Sequence, residues 1–195
     1  ADPTHDLVAA SGEAIAVGSV LAERGWDLRE GPLLHDEADR GRGLGELEGV
    51  DLFYYAGHAA HDEGRGQGLP LPPYAGGSRA WPARLQLASD TALEIQDVLT
   101  LPSVPRLVVL NGCQTGVPSG SGEGMSLALA FLVAGAEEVV ATPAREPDAL
   151  GLAAGEGLAV ELSAGVAGLA GGLARAQAKR LARGEPVGRY RVWVR

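Results

Sequence analysis

The chain has 195 residues, of which 46% are hydrophobic and 21% charged, a balance that suits one globular domain with a buried core. Its 29 glycines and 12 prolines follow no collagen period and are interleaved with apolar runs, which argues against a fibrous or wholly disordered chain. The 16 basic and 25 acidic residues give a net charge of −9, so a positively charged surface for DNA or RNA is not expected.

The first half of the chain predicts helices and strands in alternation. Apolar residues at helical spacing predict a helix over residues 6–23, which Gly25 ends. A short strand is expected over residues 26–34 and a weak helix within residues 36–48. The run from Val50 to Ala56 is rich in β-forming residues and predicts a buried strand. His58 follows the end of that strand.

The second half continues the alternation. Residues 59–84 carry many glycines and prolines and predict a long surface loop, and Ser89 or Asp90 is expected to cap a helix that runs to Leu99. The apolar run 106–110 predicts a strand covered on both faces, and Cys113 follows its end. The remaining expected elements are a glycine-rich loop at 116–124, helices at 126–134, 148–162 and 167–183, and strands at 138–142 and 190–194.

This alternation predicts a single three-layer α/β domain over residues 1–195, with a mostly parallel sheet between helices. Ligands of such sheets bind beyond the carboxyl ends of the strands. His58 and Cys113 each follow a predicted strand, so we expect both side chains at the same edge of the sheet. This is the main structural expectation for the site.

One cysteine and one histidine at that edge are sufficient for nucleophilic catalysis, because an imidazole can take the thiol proton and the thiolate can attack a carbonyl. The two residues are 55 positions apart, close to the ~50 of the caspase-type order of His before Cys. The N–H groups of Ala59 and Cys113 are candidates for stabilising an oxyanion. The alternative is that Cys113 is a small buried apolar residue and His58 a hydrogen-bonded loop residue.

Other site classes fit the sequence less well. Cys113 is the only cysteine, which excludes an internal disulfide and a zinc ribbon. His61, Asp62 and Glu63 lie near His58, but no further soft ligand is close in sequence, so we expect a polar loop and no metal. No phosphate-binding loop completes its pattern, and no cofactor is expected. The chain also lacks an apolar run of ~20 residues and a secretory signal pattern, so we expect a cytoplasmic protein without a membrane partner.

Three segments, in this order, resemble the CHAT domain, a caspase-like family often joined to tetratricopeptide repeats. They are Tyr54-Tyr55-Ala56-Gly57-His58-Ala59, the run from Leu107 to Gly116 around Asn111-Gly112-Cys113-Gln114, and a third in two parts, Gly122-Glu123-Gly124 and Ala130-Phe131-Leu132-Val133-Ala134-Gly135-Ala136. The resemblance extends over nearly the whole chain. It implies a caspase-like fold, His58 as the catalytic histidine, Cys113 as the nucleophile, and hydrolysis of peptide bonds in protein substrates through a thioester.

Departures from the family pattern bear on these expectations. The family usually reads Ser-Ala-Cys-Glu where this chain has Asn111-Gly112-Cys113-Gln114, and many relatives have glycine at the position of Ala59. The family's first sheet strand normally precedes Asp2-Pro3, so we expect this chain to lack it and to belong to a longer protein. The only methionine is Met125, which agrees with that expectation.

Specificity, regulation and an alternative function complete the expectations. Asp2 or Asp6 would favour a basic side chain before the scissile bond if either lined the substrate pocket, whereas helix capping is the plainer role of such carboxylates. As in relatives, we expect control of the protease by an adjacent repeat-containing region or partner. The alternative function is a catalytically silent domain that binds or scaffolds an extended peptide in the same cleft.

Overall fold

A computed structural model describes residues 8–29, 31–34, 37–60, 83–88, 91–118 and 125–195. Within these ranges the helices are α1 (Val8–Glu23), α2 (Arg40–Leu47), α3 (Ile95–Thr100), α4 (Leu127–Ala134), α5 (Asp148–Ser163) and α6 (Gly168–Ala182). The strands are β1 (Leu52–Ala56), β2 (Ala59–Ala60), β3 (Arg84–Gln86), β4 (Ala92–Glu94), β5 (Leu107–Asn111), β6 (Glu138–Ala141) and β7 (Arg191–Val194).

The main sheet has the strand order β1-β5-β6-β7. Strands β1, β5 and β6 are parallel, and β7 is antiparallel to β6. All five residues of β5 are buried, as expected for a central strand with helices on both faces. The register places Leu52 opposite Leu107 and Ala56 opposite Asn111, so β1 and β5 end level with each other. The expected α/β fold with a mostly parallel sheet is confirmed.

Helices cover both faces of this sheet because successive side chains of a strand point to opposite faces. Leu107, Val109 and Val140 pack on one face with α5 and α6, and α1 packs against α5. Val108 and Leu110 point to the other face, where they form one core with residues of α3 and α4. The two cores account for the near-continuous apolar sequence of β5.

A second sheet contradicts two of the expectations. Strands β2, β3 and β4 form a small antiparallel sheet, so the ends of the expected loop at 59–84 are strands; residues 61–82 lie outside the described residues. The helix expected from Ser89 or Asp90 begins only at Ile95, because residues 92–94 pair with β3 and Glu94 forms a capping box with Asp97. Ser89 and Asp90 themselves lie outside the described residues.

The strand expected over residues 26–34 was also wrong for the described part of that segment. Trp26 and Leu28 pack against apolar side chains of α1 and β1, and no strand forms there. Between this segment and β1 lies a groove of about 580 Å³. Within the described ranges no strand pairs with β1 on the side away from β5.

No single helix in the described part of the chain is long and apolar enough to cross a membrane. The consecutive helices α5 and α6 reach the required length and apolarity only as a pair, and a bend of 119° separates them.

Candidate active site

The ends of β1 and β5 bring the two predicted catalytic residues into one cleft. His58 follows β1 by two residues, Cys113 follows β5 by two residues, and the parallel register keeps the two strand ends adjacent. The Gly57 N–H donates to the Asn111 carbonyl at 3.3 Å, which extends the pairing beyond the last strand residues. His58 and Cys113 both line a small cleft of about 40 Å³. The expectation that both residues share one edge of the sheet is therefore met by the geometry.

Gly112 permits this close approach. A Cβ atom at Gly112 would lie 2.7 Å from the carbonyl oxygen of Gly57 and 3.3 Å from a ring carbon of Tyr55. Because the nearest atom belongs to the backbone, it could not move aside cheaply. The lack of a side chain at Gly112 is therefore what lets the two strand-exit loops touch.

The loop around Cys113 is held by hydrogen bonds to the residues that follow β6. The Gln114 N–H donates to the Ala144 carbonyl at 3.1 Å, and the Gly116 N–H donates to the Thr142 carbonyl at 2.9 Å. The Thr142 hydroxyl in turn donates to the Gly112 carbonyl at 2.5 Å. Gln114 has φ of 59°, the left-handed conformation that non-glycine residues seldom adopt. Such a conformation persists only where surrounding bonds fix it, so the turn carrying Cys113 has a defined shape.

The thiol and backbone of Cys113 have few competing partners. Its half-buried Sγ atom donates a weak hydrogen bond to the Glu146 carbonyl at 3.8 Å. Among the described residues this is the only hydrogen bond of Sγ, and none joins it to His58. No described residue accepts a hydrogen bond from the Cys113 N–H. The N–H therefore remains able to bind an anion.

His58 has a fixed backbone at the exit of β1. Its carbonyl accepts hydrogen bonds from the Tyr55 hydroxyl at 2.6 Å and from the Gln86 N–H at 2.9 Å. The bond from Gln86 makes Ala59 a non-hydrogen-bonded position of the β2–β3 pair, so this ladder does not use the Ala59 N–H. Ala59 is not among the residues lining the cleft, and its oxyanion role stays a prediction.

A buried polar network forms the floor of the cleft. Asn111 Nδ2 donates to Glu13 Oε1 at 2.5 Å and to the Gly151 carbonyl at 2.9 Å, and Asn111 Oδ1 accepts from the Tyr190 hydroxyl at 2.6 Å. The Tyr54 hydroxyl also donates to Glu13 Oε1. These bonds join α1, β1, β5, α5 and the segment before β7 directly behind Cys113.

Burial controls the ionisation of this network. Desolvation raises the pKa of Glu13 from its ordinary value of 4.5 to about 7, although the hydrogen bonds from Tyr54 and Asn111 lower it. Burial also raises the pKa of Tyr54 and of Tyr190, with the charge of Glu13 as the next cause in both. Both phenols therefore act as hydrogen-bond donors at neutral pH.

Acidic side chains at the start of α5 form another wall of the cleft. Glu146 and Asp148 line it together with Glu13, and Asp148 is exposed. Arg189 Nε donates to Glu146 Oε1 at 2.8 Å, so the Glu146 carboxylate has a cationic partner. The exposed carboxylate of Asp148 is thus the one best placed to attract a basic ligand.

The remaining candidate residues receive no structural support. Asp2 and Asp6 lie outside the described residues, as do His61, Asp62 and Glu63. In the part of the chain that the structure describes, no group of three histidine, cysteine, aspartate or glutamate side chains could hold a metal ion.

The fold and this cleft agree with the comparison to known families. A family model for the CHAT domain matches residues 4–193, nearly the whole chain. The chain belongs to the CHAT domain family. No curated protein matches the chain. The CHAT match spans both strand ends that carry His58 and Cys113, and the mostly parallel sheet between helices is consistent with the caspase-like three-layer fold of this family.

Sequence reasoning missed the residues that support the cleft. The spacing of α1 contained one signal: Glu13 stands three or four residues from Ala10 and Val17 and so shares a helix face with them, and a carboxylate on a buried face needs hydrogen-bond partners. Asn111 stands at the end of an apolar strand, which was a second signal. Glu146, Asp148 and Arg189 had no comparable signal, because Glu146 and Arg189 lie between elements and Asp148 only begins α5.

Proposed function

We propose that this CHAT domain is a cysteine endopeptidase that cleaves protein substrates with Cys113 and His58. One observation carries the proposal: the only thiol of the chain and a histidine line the same cleft at the carboxyl ends of two adjacent parallel strands. Membership of the CHAT family, with its caspase-like fold, agrees with this assignment.

The proposed reaction has two steps. His58 takes the proton of Cys113, and the thiolate attacks the scissile carbonyl while the Cys113 N–H stabilises the oxyanion. The C–N bond then breaks, the imidazolium gives its proton to the leaving amine, and a thioester remains on Cys113. Water, deprotonated by His58, hydrolyses the thioester and returns the thiol.

The resting thiol is bonded to the Glu146 carbonyl and not to His58. Catalytic hydrogen bonds are often long in unliganded enzymes and tighten when substrate binds. We therefore propose that substrate, together with an adjacent regulatory region or repeat-containing partner, brings the imidazole and the thiol into contact. A domain that is fully active in isolation would contradict this part of the proposal.

The substrate side chain before the scissile bond is proposed to be basic. Asp148 supplies an exposed carboxylate in the cleft, and the nearby Arg189 is bonded to Glu146. Asp2 and Asp6, the carboxylates expected from the sequence to favour a basic side chain, lie outside the described residues.

The alternative is a silent peptide-binding domain. The hydrogen bond from Cys113 Sγ to the Glu146 carbonyl favours it, because a thiol held as a donor is not activated for attack. The alternative predicts that peptides bind equally well to Cys113→Ala and that the thiol reacts like an ordinary free cysteine.

Covalent capture separates the two functions. A peptidyl acyloxymethyl ketone with arginine at its reactive end is incubated with the chain, and intact mass reports the adduct. The endopeptidase predicts an adduct on the wild-type chain, none on Cys113→Ala, and slower formation on His58→Gln. The control reagent is iodoacetamide, which needs no substrate cleft. If the ketone modifies wild type no faster than a thiol in a short unstructured peptide, both with the chain alone and with its native flanking sequence present, the protease proposal fails.

A further inference from the structure

The segment just before β7 holds both sides of the Cys113 loop. Tyr190 donates from its hydroxyl to Asn111 Oδ1 at 2.6 Å. Its neighbour Arg189 donates from Nε to Glu146 Oε1 at 2.8 Å and from Nη2 to the Arg145 carbonyl at 2.9 Å. Two consecutive residues thus bind two different walls of the cleft.

Asn111 and Glu146, the side chains that accept these hydrogen bonds, are both close to Cys113 in the structure. Asn111 precedes Cys113 by two residues and fixes the end of β5. Glu146 supplies the carbonyl that accepts the hydrogen bond from Cys113 Sγ. The topology explains the meeting: β7 pairs antiparallel with β6, so the start of β7 lies beside the chain that leaves β6 toward Glu146.

Exposure distinguishes the two contacts. The Glu146 side chain is only 6% exposed while Arg189 is 67% exposed, so the carboxylate is buried and its cation reaches in from the surface. Glu146 and Cys113 line the same cleft. Asn111 is buried, and its amide nitrogen is already used by Glu13 and Gly151. Loss of the Tyr190 hydroxyl would therefore leave a buried amide oxygen without its donor.

We infer that Arg189 and Tyr190 are positioning residues that form a clamp on the Cys113 loop, with separate roles for the two side chains. Tyr190 fixes the geometry of the loop through Asn111. Arg189 neutralises the carboxylate of Glu146, which would otherwise oppose a thiolate at Cys113 by like-charge repulsion. The catalytic part of this inference rests on the proposed endopeptidase function, whereas the effect on thiol reactivity does not.

The cleft contains other titratable groups that the test must keep constant. Among the described residues, Glu13 from α1, His58 from the β1 exit and Asp148 from α5 line it together with Glu146, and the Tyr190 hydroxyl approaches from the segment before β7. The variants Arg189→Gln and Glu146→Gln leave Glu13, His58, Asp148 and Tyr190 in place. A double variant of these two positions therefore isolates the ion pair.

The first measurement is the rate of Cys113 alkylation by iodoacetamide as a function of pH, read by intact mass. Since Cys113 is the only cysteine, the adduct reports one site. Arg189→Gln is expected to move the profile to higher pH and to slow alkylation several-fold at neutral pH. The double variant Arg189→Gln with Glu146→Gln, and the variant Arg189→Lys, should restore the wild-type profile. Arg191→Gln, an exposed arginine two residues along the chain, is the matched control.

The second measurement separates the role of Tyr190. For Tyr190→Phe the alkylation profile should stay at the wild-type pH, while kcat for peptide cleavage falls about tenfold and KM changes less than about twofold, since one transition-state contact is misplaced. A thermal melt on each variant checks that it is folded. Equal profiles for Arg189→Gln and Arg191→Gln would overturn the charge role, and a Tyr190→Phe variant with wild-type kcat would overturn the geometric role.

The two measurements also keep the inference separate from the proposed function. If wild type cleaves no peptide, either alone or with its native flanking sequence, but Arg189→Gln still shifts the alkylation profile, the proposed function fails and the ion-pair role stands. If wild type cleaves and no clamp variant differs from Arg191→Gln, the clamp fails and the function stands.

Discussion

Replacing Glu13 by glutamine should remove a specific pH dependence from the stability of the fold. Glutamine has nearly the same shape, and its carbonyl oxygen can accept the hydrogen bonds from Tyr54 and Asn111. It cannot ionise. Any difference between wild type and Glu13→Gln in the pH dependence of unfolding therefore reports the carboxyl group of Glu13.

The magnitude follows from the raised pKa of Glu13. In the folded protein this pKa is about 7, against an ordinary value of 4.5, so the folded state keeps a proton that the unfolded state releases. Stability falls with rising pH wherever the folded state binds more protons. The free energy of unfolding of the wild type should thus fall by roughly 3 kcal/mol because of Glu13 as pH rises from about 4.5 to about 7. It should fall little more above that range.

The assay is urea unfolding of both proteins at several values from about pH 4 to about pH 8, where the linear extrapolation gives each free energy of unfolding. The curve for wild type should fall below that for Glu13→Gln by roughly 3 kcal/mol as pH rises through the window, with equal slopes against urea. Parallel curves across the range would refute the reasoning, because they would mean that Glu13 ionises in the folded protein as it does in the unfolded chain.

Three further substitutions follow from the packing of the cleft. Gly155→Ala should destabilise the fold by about 1 to 3 kcal/mol in urea unfolding, because its Cβ would lie 2.0 Å from the Tyr54 hydroxyl. The control Gly12→Ala has open space around its Cβ and should be neutral or stabilising by about 0.5 to 1 kcal/mol, and equal effects of the two substitutions would contradict this account of the network. Gly112→Ala should cost at least about 2 kcal/mol by the same assay and abolish peptide cleavage, since its Cβ meets a backbone carbonyl; wild-type stability would show that the strand exits need not touch. Asp148→Asn should lower kcat/KM by about tenfold for peptides with arginine before the scissile bond, and should change kcat/KM by less than about twofold for matched peptides with glutamine there. An equal loss for both peptides would remove the proposed basis of specificity.

The positions of His58 and Cys113 could be predicted from the sequence because local patterns determine both. Each residue follows an apolar run that forms a strand, and parallel strands end at one edge of the sheet. The helices around them were also predictable, since apolar spacing and caps such as Ser126 are written within a few residues. These local signals fixed the fold class and the two residues of the candidate site.

The parts that could not be predicted depend on contacts between distant residues. Asn111 and Glu13 are 98 positions apart, so neither local pattern indicates that their side chains meet. Strands β2, β3 and β4 have two or three residues each, too few to display an alternating pattern. Segment 26–34 has strand-like composition, but among the described residues no strand pairs with it, and Trp26 and Leu28 pack their side chains against α1 and β1.

The central claim is tested most directly by cleavage of a peptide library, read by mass spectrometry, with the wild-type chain and Cys113→Ala compared with and without native flanking sequence. Cys113→Ser is a second control that keeps a hydroxyl at the same position. The account predicts new peptide ends with wild type, enriched for a basic residue before the cut, and none with either variant. Cleavage that survives Cys113→Ala, or the absence of any cleavage by wild type in every form, would contradict it.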